Sequence, residues 1–155
     1  MLPYRSCAGL SALREGRPMR LFLFFLLHLI ASSATALDVV VNPEVGVTQL
    51  SRDECRALFS LQTLRWPDGT PVQVFTLADD ALLHRQFTKQ VLGLYPYQLR
   101  RHWDRIVFSG GGQAPIEVDS VQEMHRRVAK TRGAIGYMDT INPEAPPLKR
   151  IHTDD

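Results

Sequence analysis

Between residues 37 and 138 three short apolar runs alternate with helical stripes, and this alternation restricts the chain more than any other feature. Leu37 to Asn42, closed by Pro43, reads as a strand inside a sheet, as do Val72 to Leu77 and Ala134 to Met138. The first helix is predicted from Ser51, whose hydroxyl can accept from the Glu54 amide while the Glu54 carboxylate reaches back, with Leu50 and Cys55 as a staple and Cys55, Leu58 and Phe59 as its apolar face. After the turn Trp66-Pro67-Asp68-Gly69 and the second strand, Asp79 or Asp80 is expected to cap a helix with the stripe Leu83, Phe87, Val91 and Leu94, ended at Gly93. Pro96 opens a third helix with Leu99, Trp103, Ile106 and Val107 inward, and Ser120-x-x-Glu123 opens a fourth with Val121, Met124 and Val128 inward, ended by Gly133. Strands alternating with helices predict an α/β domain in three layers, a mostly parallel sheet with helices on both faces. The tail with Pro143, Pro146 and Pro147 reads as loop, with one edge strand near Leu148 to Ile151.

The first 36 residues stand apart. Arginines precede the apolar run at 21–31, and Ala34-Thr35-Ala36 follows it as a small-x-small site. The run is too short to span a bilayer, which takes about 20 residues. A secretory signal peptide cut after Ala36 is expected, with Met19 as an alternative start. Cys7 lies before the run and cannot become an acylated first residue, so a free periplasmic product of residues 37–155 follows, with no stable membrane insertion after cleavage. That product holds 15 acidic and 14 basic residues, which gives no case for nucleic-acid binding. Cys55 is its only cysteine, so stability must come from the core rather than from a disulfide.

The order of several segments then becomes specific. Val41-Asn42-Pro43 precedes the capped helix, Leu58-Phe59 leads to Trp66-Pro67-Asp68-Gly69, and Phe87 is followed by Val91-Leu92-Gly93. Trp103, Phe108 with Gly110 and Gly112, Pro115 and Gly133-Ala134-Ile135-Gly136-Tyr137 complete the series. The sequence resembles the second lobe of phosphate-type periplasmic solute-binding proteins and, more closely, the short exported single-lobe proteins related to them. The resemblance implies a type II periplasmic-binding fold reduced to one lobe. In that family an arginine, an acidic residue and a Ser-Gly-Thr turn hold the anion at a helix N-terminus; the resemblance places these on Leu77, Asp79 and Ala81-Leu82-Leu83, so only the acidic residue is kept. Two carboxylates at Asp79 and Asp80 would further repel an anion.

Two function classes follow. The first is a solute-binding-like module, related to substrate-binding proteins of phosphate ABC transporters, that holds a small oxyanion such as phosphate weakly or with a partner's help. Its nominated donors are the helix starts at Asp79, Asp80 and Ala81 and at Asp119 and Ser120. The second is a ligand-free interaction module of an envelope transport or signalling complex. An enzyme is not expected, because the chain has no Ser-His-Asp order, catalytic carboxylate pair or cofactor fingerprint, and no cofactor is called for.

Other constellations have plainer readings. Gly110-Gly111-Gly112 reads as a flexible connection, since no Lys-Ser or Lys-Thr follows it. Asp80 and His84, with His102 or His125, lack a second ligand pair for a metal and read as solvated side chains. Cys55 reads as a buried structural thiol, and Trp66 and Trp103 as packing residues. Arg100, Arg101 and Arg105, and Arg126, Arg127, Lys130 and Arg132, read as solvated outer faces.

Overall fold

A computed structural model gives the architecture and describes residues 37–139, 141 and 145–154. The expected leader at 1–36 and Pro143 lie outside the described residues. The elements are β1 (Asp38–Val41), β2 (Gln49–Ser51), α1 (Arg52–Phe59), β3 (Gln73–Thr76), α2 (Leu82–Gln90), α3 (Pro96–Phe108), β4 (Ile116–Glu117), α4 (Val121–Lys130), β5 (Ala134–Met138) and β6 (Lys149–Asp154). One six-stranded sheet runs in the order β2-β6-β1-β5-β3-β4. The pairs β2 with β6, β3 with β5 and β3 with β4 are parallel, while β1 is antiparallel to both of its neighbours.

The three layers meet at β5, which is buried along its whole length. Successive strand residues face opposite sides of a sheet, so Gly136 and Tyr137 report the two faces separately. A Cβ on Gly136 would stand 3.0 Å from Met124 Sδ and 3.1 Å from Val128 Cγ2, so α4 lies directly on that face and only glycine leaves room for it. On the opposite face the Tyr137 ring stacks on Phe87 of α2 at 3.9 Å and tilts against Phe59 of α1 at 6.0 Å. Helix α3 covers this side from outside, where the Trp103 indole N–H donates to the Phe59 carbonyl at 2.7 Å.

Local signals fixed several of these elements. Ser51 caps α1 with both halves of the capping box formed, and Ser120 caps α4 through the Glu123 amide. Gly69 takes φ +85° in the predicted turn, and its amide donates to the Trp66 carbonyl. Buried Asn42 closes β1 by donating to the Val128 and Ala129 carbonyls near the end of α4. Trp66 is buried as expected, with its indole N–H on the Gly133 carbonyl at 2.9 Å.

The structure corrects other expectations. The final strand is an interior one, held between β2 and β1, and the short strands β2 and β4 are additional. Neither Asp79 nor Asp80 caps α2: the N-cap is Ala81, with no side-chain hydrogen bond. The buried face of α2 is His84, Phe87 and Thr88, with Leu83 only half-buried, because the helix is turned to bring His84 onto the Tyr137 hydroxyl. On α3 Leu99 and Trp103 are buried, but Val107 and Phe108 point outward, since the helix runs beyond the edge of the core. His84 and His125 are buried rather than solvated.

Candidate functional site

Strands β3, β4 and β5 run parallel, so the segments leaving β3 and β4 emerge at one edge of the sheet. Helix α2 starts after β3 and helix α4 after β4, which brings both nominated helix starts to that edge. Parallel α/β sheets bind ligands at this end because helix N-termini present unpaired amides there.

The two starts differ in what already occupies them. At α4 the Ser120 hydroxyl accepts from the Glu123 amide at 3.2 Å, and the Glu123 carboxylate accepts from the Asp119 amide at 3.3 Å. The Asp119 amide is thus met by an internal carboxylate, and the Glu123 amide by the Ser120 hydroxyl. A cavity of about 670 Å³ lies beside this helix, lined by Val121, Gln122, His125, Arg126, Asp139 and Pro146. The His125 Nε2 atom is buried without a hydrogen-bond partner among the described residues.

At α2 the start carries no side-chain cap, and Asp80 is exposed beside it. Asp79 has turned away from the helix to meet Arg100 of α3. The Arg100 Nε donates to Asp79 Oδ2 at 3.0 Å and Nη2 to Oδ1 at 2.8 Å, a two-pronged ion pair with both side chains about two-fifths exposed. Arg100 is therefore not a solvated outer-face residue, and Asp79 does not contribute a free negative charge. The guanidinium carbon sits 5.0 Å from the centre of the Trp103 ring, which orients it. Glu117 of β4 stands 3.7 Å from Nη2, and the carboxylates, Asp79 first, hold the guanidinium pKa above its ordinary value.

Behind this pair lies His84, with no solvent exposure. Its Nδ1 is 2.6 Å from the Tyr137 hydroxyl, which also accepts from the Leu77 amide at 3.0 Å. The network assigns the tautomer: the Tyr137 oxygen accepts from Leu77 and must place its own hydrogen, and His84 Nδ1 is the acceptor at hand. The imidazole proton then sits on Nε2, a buried donor with no hydrogen-bond partner among the described residues, 3.7 Å from Asp79 Oδ1. Burial lowers the His84 pKa, the Asp79 charge opposes that shift and Arg100 adds to it, so the ring is neutral at pH 7. Burial also raises the Tyr137 pKa, which keeps its hydroxyl protonated.

Of the nominated residues, Asp79 pairs with Arg100, Ala81 is the N-cap of α2, Asp80 is exposed beside it, and Asp119 and Ser120 bond to Glu123 at the start of α4. Sequence reasoning missed Arg100, His84 and Tyr137 as the network around Asp79. Leu77, in the place the resemblance gives to an arginine, is buried. The guanidinium that meets Asp79 comes from α3.

The chain is similar to an ABC-type phosphate transport receptor from Vibrio cholerae, with a TM-score of 0.56, 17% identity, and coverage of 77% of this chain and 47% of that one. It is equally similar to PstS from Borrelia burgdorferi, with a TM-score of 0.57, 14% identity and coverage of 77% and 47%. This is a periplasmic-binding-protein-like fold. At such identities the likeness is one of fold, and the chain spans about half the length of the solved proteins it matches. No family model matches the sequence, and no curated protein matches it. Among the described residues no helix is long and apolar enough to cross a membrane.

Proposed function

We propose that this chain is an exported, periplasmic solute-binding-like lobe that holds a small oxyanion, with phosphate the first candidate, at the start of α2, and that residues 1–36 act as its cleaved leader. The observation that supports the reading is the Arg100 guanidinium paired with Asp79, just before Ala81, the N-cap of a helix start with no side-chain cap, in a fold shared with phosphate-transport receptors. A charge-assisted contact from a guanidinium contributes roughly 1.5 to 3 kcal/mol, and the helix end roughly 0.3 to 1 kcal/mol. Together these support weak binding. Tight binding would need water excluded from the open side of the site, a part that a partner protein would play.

A thermal-shift panel of phosphate, sulfate, molybdate and small carboxylates tests the reading, because a ligand bound only by the folded state must raise the midpoint. Phosphate is expected to raise it for the wild type and not for Arg100→Gln. A flat panel at high concentration overturns the proposal.

One set of side chains favours the second reading, an interaction module of an envelope complex. Leu82, at the site itself, is 64% exposed, and Tyr95 and Tyr97 stack on each other at 5.9 Å while also exposed. If the panel is flat, a pull-down with wild-type and Leu82→Asp baits becomes the deciding experiment, and equal recovery by both would sink this reading.

A further inference from the structure

On the oxyanion reading proposed above, an incoming anion meets an internal one at Arg100. The prongs of Arg100 that would hold an oxyanion are filled by Asp79, and a ligand must compete with that carboxylate. A carboxylate expelled from a guanidinium loses a charge-assisted contact, and Asp79, half-buried, recovers it in part if another donor receives it. Such a donor is present. The His84 Nε2–H is buried, has no hydrogen-bond partner among the described residues and lies 3.7 Å from Asp79 Oδ1, a gap that a small rotation of the carboxylate would close.

We infer that Asp79 is an exchangeable internal anion, which pairs with Arg100 and passes to the Nε2–H of His84 when a tetrahedral oxyanion takes the guanidinium. The geometry accounts for three otherwise unrelated facts. A buried imidazole keeps a donor with no hydrogen-bond partner among the described residues, the carboxylate nearest to it is half-buried, and the Tyr137 hydroxyl fixes the tautomer that makes Nε2 a donor. His84 is a positioning residue here, since it touches Asp79 and not the ligand. Glu117, 3.7 Å from Nη2, and Asp104 are further carboxylates that act on the guanidinium charge.

The test is calorimetric titration of inorganic phosphate into wild type, Asp79→Asn, His84→Leu and the double variant, each first shown to melt cooperatively. Removing the competing charge in Asp79→Asn is expected to tighten phosphate binding about tenfold or more. His84→Leu is expected to weaken it in the wild-type background and to leave it unchanged in the Asp79→Asn background, because without the carboxylate there is nothing to receive. His84→Leu also takes the hydrogen-bond partner from Tyr137, so a second readout uses the unaltered protein: the His84 Nε2–H proton resonance should move downfield as phosphate is added. Equal or weaker binding by Asp79→Asn, or a stationary resonance at saturation, overturns the exchange while the oxyanion reading stands. If neither wild type nor Asp79→Asn binds phosphate, the oxyanion reading fails and the exchange fails with it.

Discussion

The Tyr137 hydroxyl and the His84 imidazole meet at 2.6 Å in the core, and this contact ties the central strand β5 to the first turn of α2. The same hydroxyl accepts from the Leu77 amide, where the chain leaves β3 for the candidate site. One oxygen therefore satisfies a backbone donor and an imidazole nitrogen that no water reaches. Tyr137→Phe keeps the ring stacked on Phe87 but leaves both groups unpaired, so it is expected to cost about 2 to 4 kcal/mol. Urea unfolding measures this, and a loss below about 1 kcal/mol would show that the two groups find other partners.

The buried imidazole also sets a pH dependence. Above its ordinary value of 6.5, His84 is neutral in the folded and unfolded chain alike and exerts no pH effect. As pH falls below 6.5, the unfolded chain takes up a proton that the folded chain refuses, because burial lowers the folded value. Stability then falls, by at most about 1.4 kcal/mol per pH unit, until the folded value is reached. Other groups titrate in the same range, so the informative quantity is the difference between wild type and His84→Gln from pH 7.5 to 5.5. The variant should lose stability less steeply, and parallel curves would contradict the assignment of a neutral buried ring.

The features legible in the sequence are those whose partners lie within a few residues. Ser51 with Glu54 and Ser120 with Glu123 were readable as caps because donor and acceptor sit three positions apart. The strands β1, β3 and β5 were readable because burial on both sides leaves a continuous apolar run. Strands β2 and β4, of three and two residues, have too little length to show a period, and each exists through its pairing with a distant partner. The site itself was least legible. Asp79 and Arg100 are 21 residues apart on different elements, and nothing local distinguishes Arg100 from its neighbour Arg101. His84 offered a faint signal, three residues before Phe87 on the same helix face, but its polar character argued for solvent until the Tyr137 hydroxyl was known to be opposite it.

Two glycines with similar backbones separate strain from crowding. Gly69 has φ +85° and open space around a notional Cβ, so Gly69→Ala should cost about 1 kcal/mol from the left-handed conformation alone. Gly133 has φ +72°, but its Cβ would stand 2.2 Å from the Pro71 carbonyl oxygen, and its own carbonyl receives the Trp66 indole and the Gln73 amide. Gly133→Ala must shift backbone as well as bear the strain, and a loss of roughly 2 to 4 kcal/mol is expected. Thermal melts of the two variants side by side check the order, and equal losses would show that the Pro71 segment yields easily.

Cys55 supplies a reporter of global opening that needs no substitution. It has no solvent exposure, and burial, with the Glu54 charge adding to it, pushes its thiol up to about 12. At pH 8 the thiolate fraction of such a group is about one part in 10⁴, against roughly a quarter for an ordinary thiol near 8.5, and the reagent cannot reach it in the folded chain. Alkylation by iodoacetamide should therefore proceed only through unfolding of α1 and the sheet beneath it. Peptide-level mass spectrometry reads Cys55 separately from Cys7 and allows the rate to be followed against urea. The rate is expected to rise with the same dependence as the unfolding equilibrium measured by fluorescence of Trp66 and Trp103. Rapid labelling without denaturant would instead mean that α1 opens locally, and that the contact of Arg56 with the Leu92 carbonyl at 2.7 Å does not hold this helix against the end of α2.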